Sequence, residues 1–184
     1  MLTVSAPSFV DPSQALAHLP ILTGQSAVDF GCGAGYFSFE FAKRVGPEGH
    51  VTSLDILPHA LEAVASRAKH LGLNNLETCR VNLEKEGGSR LLAESMDWVV
   101  IKDMLFQNED KKTILNEAAR VLRPGGHAFI MEWKPEHQAV GPKFELRIAP
   151  EELKKTIEEV GLNVVEEIPV GSFHYSFPVS YTHL

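Results

Sequence analysis

Three glycines at alternate positions, Gly31, Gly33 and Gly35, close an apolar run and open an amphipathic one. No other stretch narrows so far what the chain can fold into. Before them, Ser26-Ala27-Val28-Asp29-Phe30 has the length and apolar character of a buried strand. After them, Phe37, Phe41 and Val45 recur at i, i+4 and i+8, which predicts a helix over residues 36–45. Strand, glycine turn and helix together form the opening unit of an open parallel sheet, where ligands bind beyond the carboxyl ends of the strands. Glycine lets the backbone approach a ligand closely, and the free N–H groups of the following helix attract an anion.

The rest of the chain repeats the alternation. Further strands are expected at 50–54, 76–81, 97–101, 127–132 and 163–170. Helices are expected from Pro58 up to Gly72, from an opening at Asn108-Glu109-Asp110, and from Pro150. The inward residues of the first of these are Leu61, Val64, Ala65, Ala68 and Leu71. Arg123-Pro124-Gly125-Gly126 reads as a hard turn before the fifth strand. Strands alternating with helices imply a parallel sheet covered on both faces. Residues 1–12 and the polar 133–149 stretch fit no element; the latter is either a lid over a site or a plain connection.

The 184 residues, 44% hydrophobic with mean hydropathy −0.05, suit one domain with a sizeable core. A net charge of −7 repels phosphate backbones and no basic stripe offsets it, so nucleic acid is not expected as a partner. Only Cys32 and Cys79 occur, with no CxxC, which points away from a disulfide scaffold or zinc site and towards the cytoplasm. Eight histidines show no ligand spacing, so no metal is expected. The first residues lack the pattern of a signal peptide, and no apolar run reaches the ~20 residues of a membrane span.

Two more segments bear on the glycine loop. Asp55 ends the second strand, twenty residues beyond Gly35, where a carboxylate can accept both hydroxyls of a ribose; its other role is helix entry before Pro58. Ile56 beside it would lie against an adenine face. Asn82 follows the third strand and is placed either for an adenine edge or for a turn. The spacing G-x-G-x-G puts Tyr36 where a dinucleotide fingerprint needs its last glycine, which argues against NAD.

These residues resemble the class I S-adenosylmethionine-dependent methyltransferases, and among them small bacterial proteins similar to the quinone-biosynthesis C-methyltransferases. The resemblance runs over about residues 12–170. It is carried by VDFGCGAGYFSFEFA, VTSLDIL, MDWVVIKDMLF and AARVLRPGGHAFIMEW. It implies a three-layer, Rossmann-like α/β fold with a seven-stranded, mostly parallel sheet and a terminal antiparallel hairpin. It implies S-adenosylmethionine as cofactor and a small-molecule methyl acceptor. Gly31, Gly33 and Gly35 would wrap the methionine part, with Asp29 shaping the loop and facing its amino group. Asp55 would take the ribose, Ile56 and Leu83 would sandwich the adenine, Asn82 would touch its edge, and the Lys102 carbonyl would face the amino group.

Many such proteins have a histidine after the fourth strand, where this chain reads Met104-Leu105-Phe106-Gln107. No proton-abstracting role carries over, and a regulatory or vestigial binding protein without turnover is the rival reading. Asp103, Glu132 and His137 are candidate bases, none assigned. Cys32 reads as a small loop residue, not a nucleophile, and two cysteines are too few for arsenite chemistry. Pro178 cannot donate to a central strand, so residues 178–184 read as a tail of foreign origin.

Overall fold

The computed structural model describes residues 9–136 and 140–182. Its centre is a seven-stranded sheet in the order β3-β2-β1-β4-β5-β7-β6. The strands are β1 (Ser26–Phe30), β2 (His50–Asp55), β3 (Leu76–Arg80), β4 (Met96–Lys102), β5 (Leu122–Trp133), β6 (Asn163–Val164) and β7 (His174–Ser180). The first five run parallel, and β7 lies antiparallel between β5 and β6. The implied fold, terminal hairpin included, is the one observed.

The helices are α1 (Pro12–Leu16), α2 (Tyr36–Val45), α3 (Pro58–His70), α4 (Lys111–Val121) and α5 (Pro150–Glu159). Successive side chains in a strand point to opposite faces, and the two faces build separate cores. Val28, Phe30, Val99, Ile101 and Ile130 pack with Ile114 and Leu115 of α4 and Leu153 and Ile157 of α5. Ala27, Trp98, Val100, Phe129 and Met131 pack with Leu16 of α1 and Phe37, Phe41 and Val45 of α2. The residue parity of each strand therefore fixes which face its terminal side chain reaches.

Several expectations need correcting. In α3 only Leu61, Val64 and Ala68 are buried, whereas Ala65 and Leu71 are exposed, because the helix covers the sheet edge and buries one narrow stripe. Asp110 does not open α4 but caps it, accepting the Thr113 N–H at 2.9 Å. The Arg123–Gly126 turn interrupts pairing within β5: Met96 lies opposite Leu122, and pairing resumes at Trp98 opposite His127. Short α1, absent from the sequence reading, is capped by Asp11 and clamped by Arg44 of α2, which donates to the carbonyls of Ser13 and Leu16.

β6 spans two residues, not the eight expected. Val165 donates to the Pro178 carbonyl at 3.0 Å, but Pro178 has no N–H to return the bond, and the ladder ends there. The proline nitrogen thus faces the short strand, and β7 keeps its pairing with β5 from His174 to Ser180. Val179 is fully buried, and Tyr181 exchanges backbone bonds with Gly125 and Gly126.

Candidate active site

Four side chains of one parity meet beyond the carboxyl ends of the central strands. Asp29 shares its face with Ala27, Lys102 with Trp98 and Val100, and Trp133 with Phe129 and Met131, all on the α1–α2 side. His174 lies opposite Trp133 in the ladder and joins them. Together with the glycine loop they line a cavity of about 630 Å³, walled on its apolar side by Phe9, Val10, Pro12, Tyr36 and Phe37. A second cavity of about 330 Å³ shares Gly31, Gly33 and Gln107 with the first and is lined by Asp55, Ile56, Asn82 and Leu83. The loop is thus a ridge with a hollow on either side, at the point where the strand order reverses between β1 and β4.

The glycines divide by role. Gly33 has φ +50°, and a Cβ there would meet nothing within 4 Å, so its bare edge faces open space. A Cβ on Gly31 would come within 3.0 Å of the Met104 side chain, which lies over the loop. Gly35 lines neither cavity. A Cβ there would strike Val64 at 2.7 Å and Phe39 at 3.0 Å, so this glycine lets α2 and α3 pack together and is not placed to wrap a ligand.

Asp55 serves helix entry, one of its two expected roles, and also lines a cavity. Its Oδ2 accepts the Gly33 N–H and its Oδ1 the Leu57 N–H, each at 2.9 Å, tying the loop to the start of α3 while the carboxylate lines the smaller cavity. Asn82 makes a turn, its Oδ1 accepting the Glu84 N–H at 3.0 Å, and lines the same hollow. Ile56 is half exposed there, and Leu83 is buried opposite.

Asp29 is buried and accepts the Ser38 hydroxyl at 2.6 Å; burial raises its pKa to about 6 against the hydrogen bond and the Lys102 charge. Cys32 has its thiol pushed up by burial and by the Asp29 and Asp55 charges, which suits a small loop residue and no nucleophile. Lys102 pairs through its ammonium with Asp103, whose φ is +52°. Glu132 is fully buried on the other sheet face. Its Oε1 accepts the N–H groups of Met104 and Leu105, which holds the 3₁₀ turn Leu105–Gln107. Burial, and next the Asp103 charge, raise the Glu132 pKa to about 7. His137 lies outside the described residues.

His174, Phe9 and Trp133 escaped the sequence reading as site residues. Trp133 and His174 are signalled only by their register across an antiparallel ladder between distant segments, which no local pattern announces. Gly141 and Arg147 pack against Trp133. Arg147 donates to the carbonyls of Lys134, Glu136, Val140 and Pro142, and a Cβ on Gly141 would press within 2.5 Å of the indole.

A family profile described as a methyltransferase domain matches residues 21–168. The chain belongs to the methyltransferase-domain family. It is 27% identical over 163 residues to an arsenite methyltransferase of Halobacterium salinarum, covering 83% of this chain and 41% of that protein. It is 36% identical over 123 residues to a demethylmenaquinone methyltransferase of Lactococcus lactis, covering 65% of this chain and 46% of that one. The methyltransferase domain thus spans less than half the length of these curated relatives. In fold it matches a SAM-dependent methyltransferase from Aquifex aeolicus with a TM-score of 0.86 at 24% identity, over 95% of this chain and 91% of that one.

Proposed function

We propose that this chain transfers the methyl group of S-adenosylmethionine to a small-molecule acceptor in the 630 Å³ cavity. The observation that carries the proposal is the glycine ridge with a hollow on each side. One hollow has the carboxylate of Asp55 at its wall and apolar Ile56 and Leu83 about it, suiting a nucleoside. The other has buried Asp29 against the loop and aromatic walls beyond, suiting an amino-acid end and an acceptor. Its volume falls within the ~300–1,000 Å³ of small-molecule sites.

The residues fit the cofactor. The open edge of Gly33 is a cradle that any side chain would fill. Among the described residues no cation pairs directly with Asp29, which makes it the natural partner of an ammonium, and Lys102 lines the same cavity. Asp55 keeps oxygen lone pairs beyond its two backbone bonds for a ribose diol, and Asn82 stands by the base edge. When bound, the cofactor supplies an electrophilic methyl on a sulfonium. The chain must then hold the acceptor in line and exclude water, and positioning of that kind contributes up to ~7–11 kcal/mol. Phe9, Phe37 and Trp133 provide the dry wall.

A trivalent arsenic acceptor is disfavoured: Cys32 has a raised thiol pKa and Cys79, on β3, lines neither cavity. The binding-only alternative has no support. A cytoplasmic setting belongs to the same proposal, and no helix among the described residues is long and apolar enough to cross a membrane. Calorimetry tests the cofactor, with S-adenosylmethionine and its demethylated product expected to bind and NAD not. Labelled methyl transfer into a metabolite extract tests turnover. NAD binding without a response to S-adenosylmethionine would overturn the proposal.

A further inference from the structure

Three of the four buried side-chain atoms that lack a hydrogen-bond partner among the described residues cluster at one end of the sheet: Asp103 Oδ1, Glu132 Oε2 and His174 Nδ1. Glu132 is spent on the 3₁₀ turn. The other two residues line the acceptor side of the larger cavity and face each other. His174, only 3% exposed, sets Nε2 at 3.0 and 3.3 Å from the two Asp103 oxygens, with hydrogen-bond geometry to Oδ2. Its ring packs on Trp133 with centroids 4.1 Å apart, and Trp133 is itself held by Gly141 and Arg147.

We propose that His174, oriented by Asp103, takes the proton that the acceptor loses on methylation, and that the acceptor is a flat apolar molecule whose nucleophilic atom carries that proton. The proposal rests on the methyl transfer proposed above and names its base and acceptor class. A carboxylate against Nε2 keeps the proton on that nitrogen and leaves the Nδ1 lone pair to act. The ring has the Asp103 carboxylate on one side and the Trp133 face on another. Burial of an unpartnered ring nitrogen costs stability unless a ligand or water completes it.

The step balances. The acceptor's lone pair forms the bond to the methyl carbon, the electron pair of the S–C bond returns to sulfur, and the X–H proton passes to Nδ1, directly or through one water. The positive charge lost at sulfur reappears on the imidazolium between Asp103 and Trp133. The Lys102 ammonium shares Asp103 Oδ2 with the imidazole and offsets the charge of that carboxylate, and Glu132 and Asp29 are the other carboxylates acting on this cluster. The left-handed backbone of Asp103 is a strained conformation of the sort that collects at functional sites. The base is thus delivered from β7, against Asp103, the residue that follows β4.

The test uses the full chain with ¹⁵N-labelled imidazoles, saturated with S-adenosylhomocysteine, the His174 signals being assigned by their loss in His174→Gln. The expected spectrum shows the proton on Nε2 and a bare Nδ1. Adding 2-naphthol should shift the Nδ1 signal, while 2-methoxynaphthalene, the same flat body without the proton, should leave it in place. A proton on Nδ1, or the same response to both probes, overturns the proposal. His174→Gln should bind S-adenosylhomocysteine within about twofold of wild type, and with a protic acceptor should lose about 100-fold or more in kcat at an unchanged cofactor KM. An undiminished kcat overturns the proposal. Failure of the wild-type protein to bind S-adenosylhomocysteine would instead strike the methyl-transfer reading, and calorimetry on the same samples separates the two.

Discussion

Asp55 accepts the backbone N–H of Gly33 at 2.9 Å, so the carboxylate that ends β2 braces the glycine loop that leaves β1. Its second oxygen holds the Leu57 N–H at the start of α3. Ligand site and scaffold share one side chain. Asp55→Ala should therefore weaken S-adenosylmethionine by about 2–4 kcal/mol, from charged hydrogen bonds of ~1.5–3 each. It should also lower the ligand-free melting temperature by about 4–8 °C, from roughly 2 kcal/mol of orphaned backbone donors. Calorimetric titration and melting check both. Lost affinity at an unchanged melting temperature would mean that the two backbone bonds contribute nothing to the free protein.

Gly33→Val tests the cradle. The new side chain would enter open space, so packing does not oppose it, but its φ of +50° strains a β-branched residue by about 1–3 kcal/mol. A folded protein, melting a few degrees lower and without measurable cofactor affinity, is expected. Gly35→Ala should behave oppositely, since its Cβ strikes Val64 and Phe39: stability falls more than affinity. Retained binding in Gly33→Val would remove the cradle from the site.

Periodicity and chain punctuation carried the strands, the helices α2 to α5 and the glycine loop, because these depend on residues within a few positions of one another. Asp29, Gly31, Gly33, Asp55, Ile56, Asn82, Leu83 and Lys102 all line a cavity or its floor for the same reason: each ends a strand or follows one. What stayed hidden needs contacts between distant segments. Gly35 looked like its two neighbours, and only the approach of α3 reveals its task. His174 meets Asp103 across 71 positions, and β6 is cut short by a proline that precedes it in neither space nor chain.

Asp29 should make binding depend on pH. Its pKa of about 6 lies above the ordinary 3.8, so the folded protein keeps the proton to higher pH than the unfolded chain. Stability from this group is then greatest below about pH 4 and is lost as pH rises through about 6, a change of about 3 kcal/mol. A bound ammonium favours the ionised form, so binding releases a proton in that window. Cofactor affinity is expected to rise about tenfold between pH 5 and 7. Asp29→Asn should flatten that rise and melt higher than wild type at pH 8 without ligand. An unchanged slope in the variant would show that another group sets it.

The final prediction concerns residues 179–184, which as sequence look alien to the fold. Val179 is fully buried and pairs with Ala128 on one side and Val164 on the other. Tyr181 donates to the Gly126 carbonyl at 2.9 Å and accepts the Gly125 N–H at 2.8 Å, pinning the turn at which β5 pairing is interrupted. Burying one valine is worth about 1.5–3 kcal/mol and each hydrogen bond about 0.5–1.5. Deletion of 179–184 should then cost roughly 3–5 kcal/mol and lower the melting temperature by more than about 6 °C. The cofactor hollows lie at the opposite end of β5, so affinity measured well below the new melting point should hold. An unchanged melting temperature would show that the segment does not pack in solution, and the sequence's own hint of a foreign tail would stand.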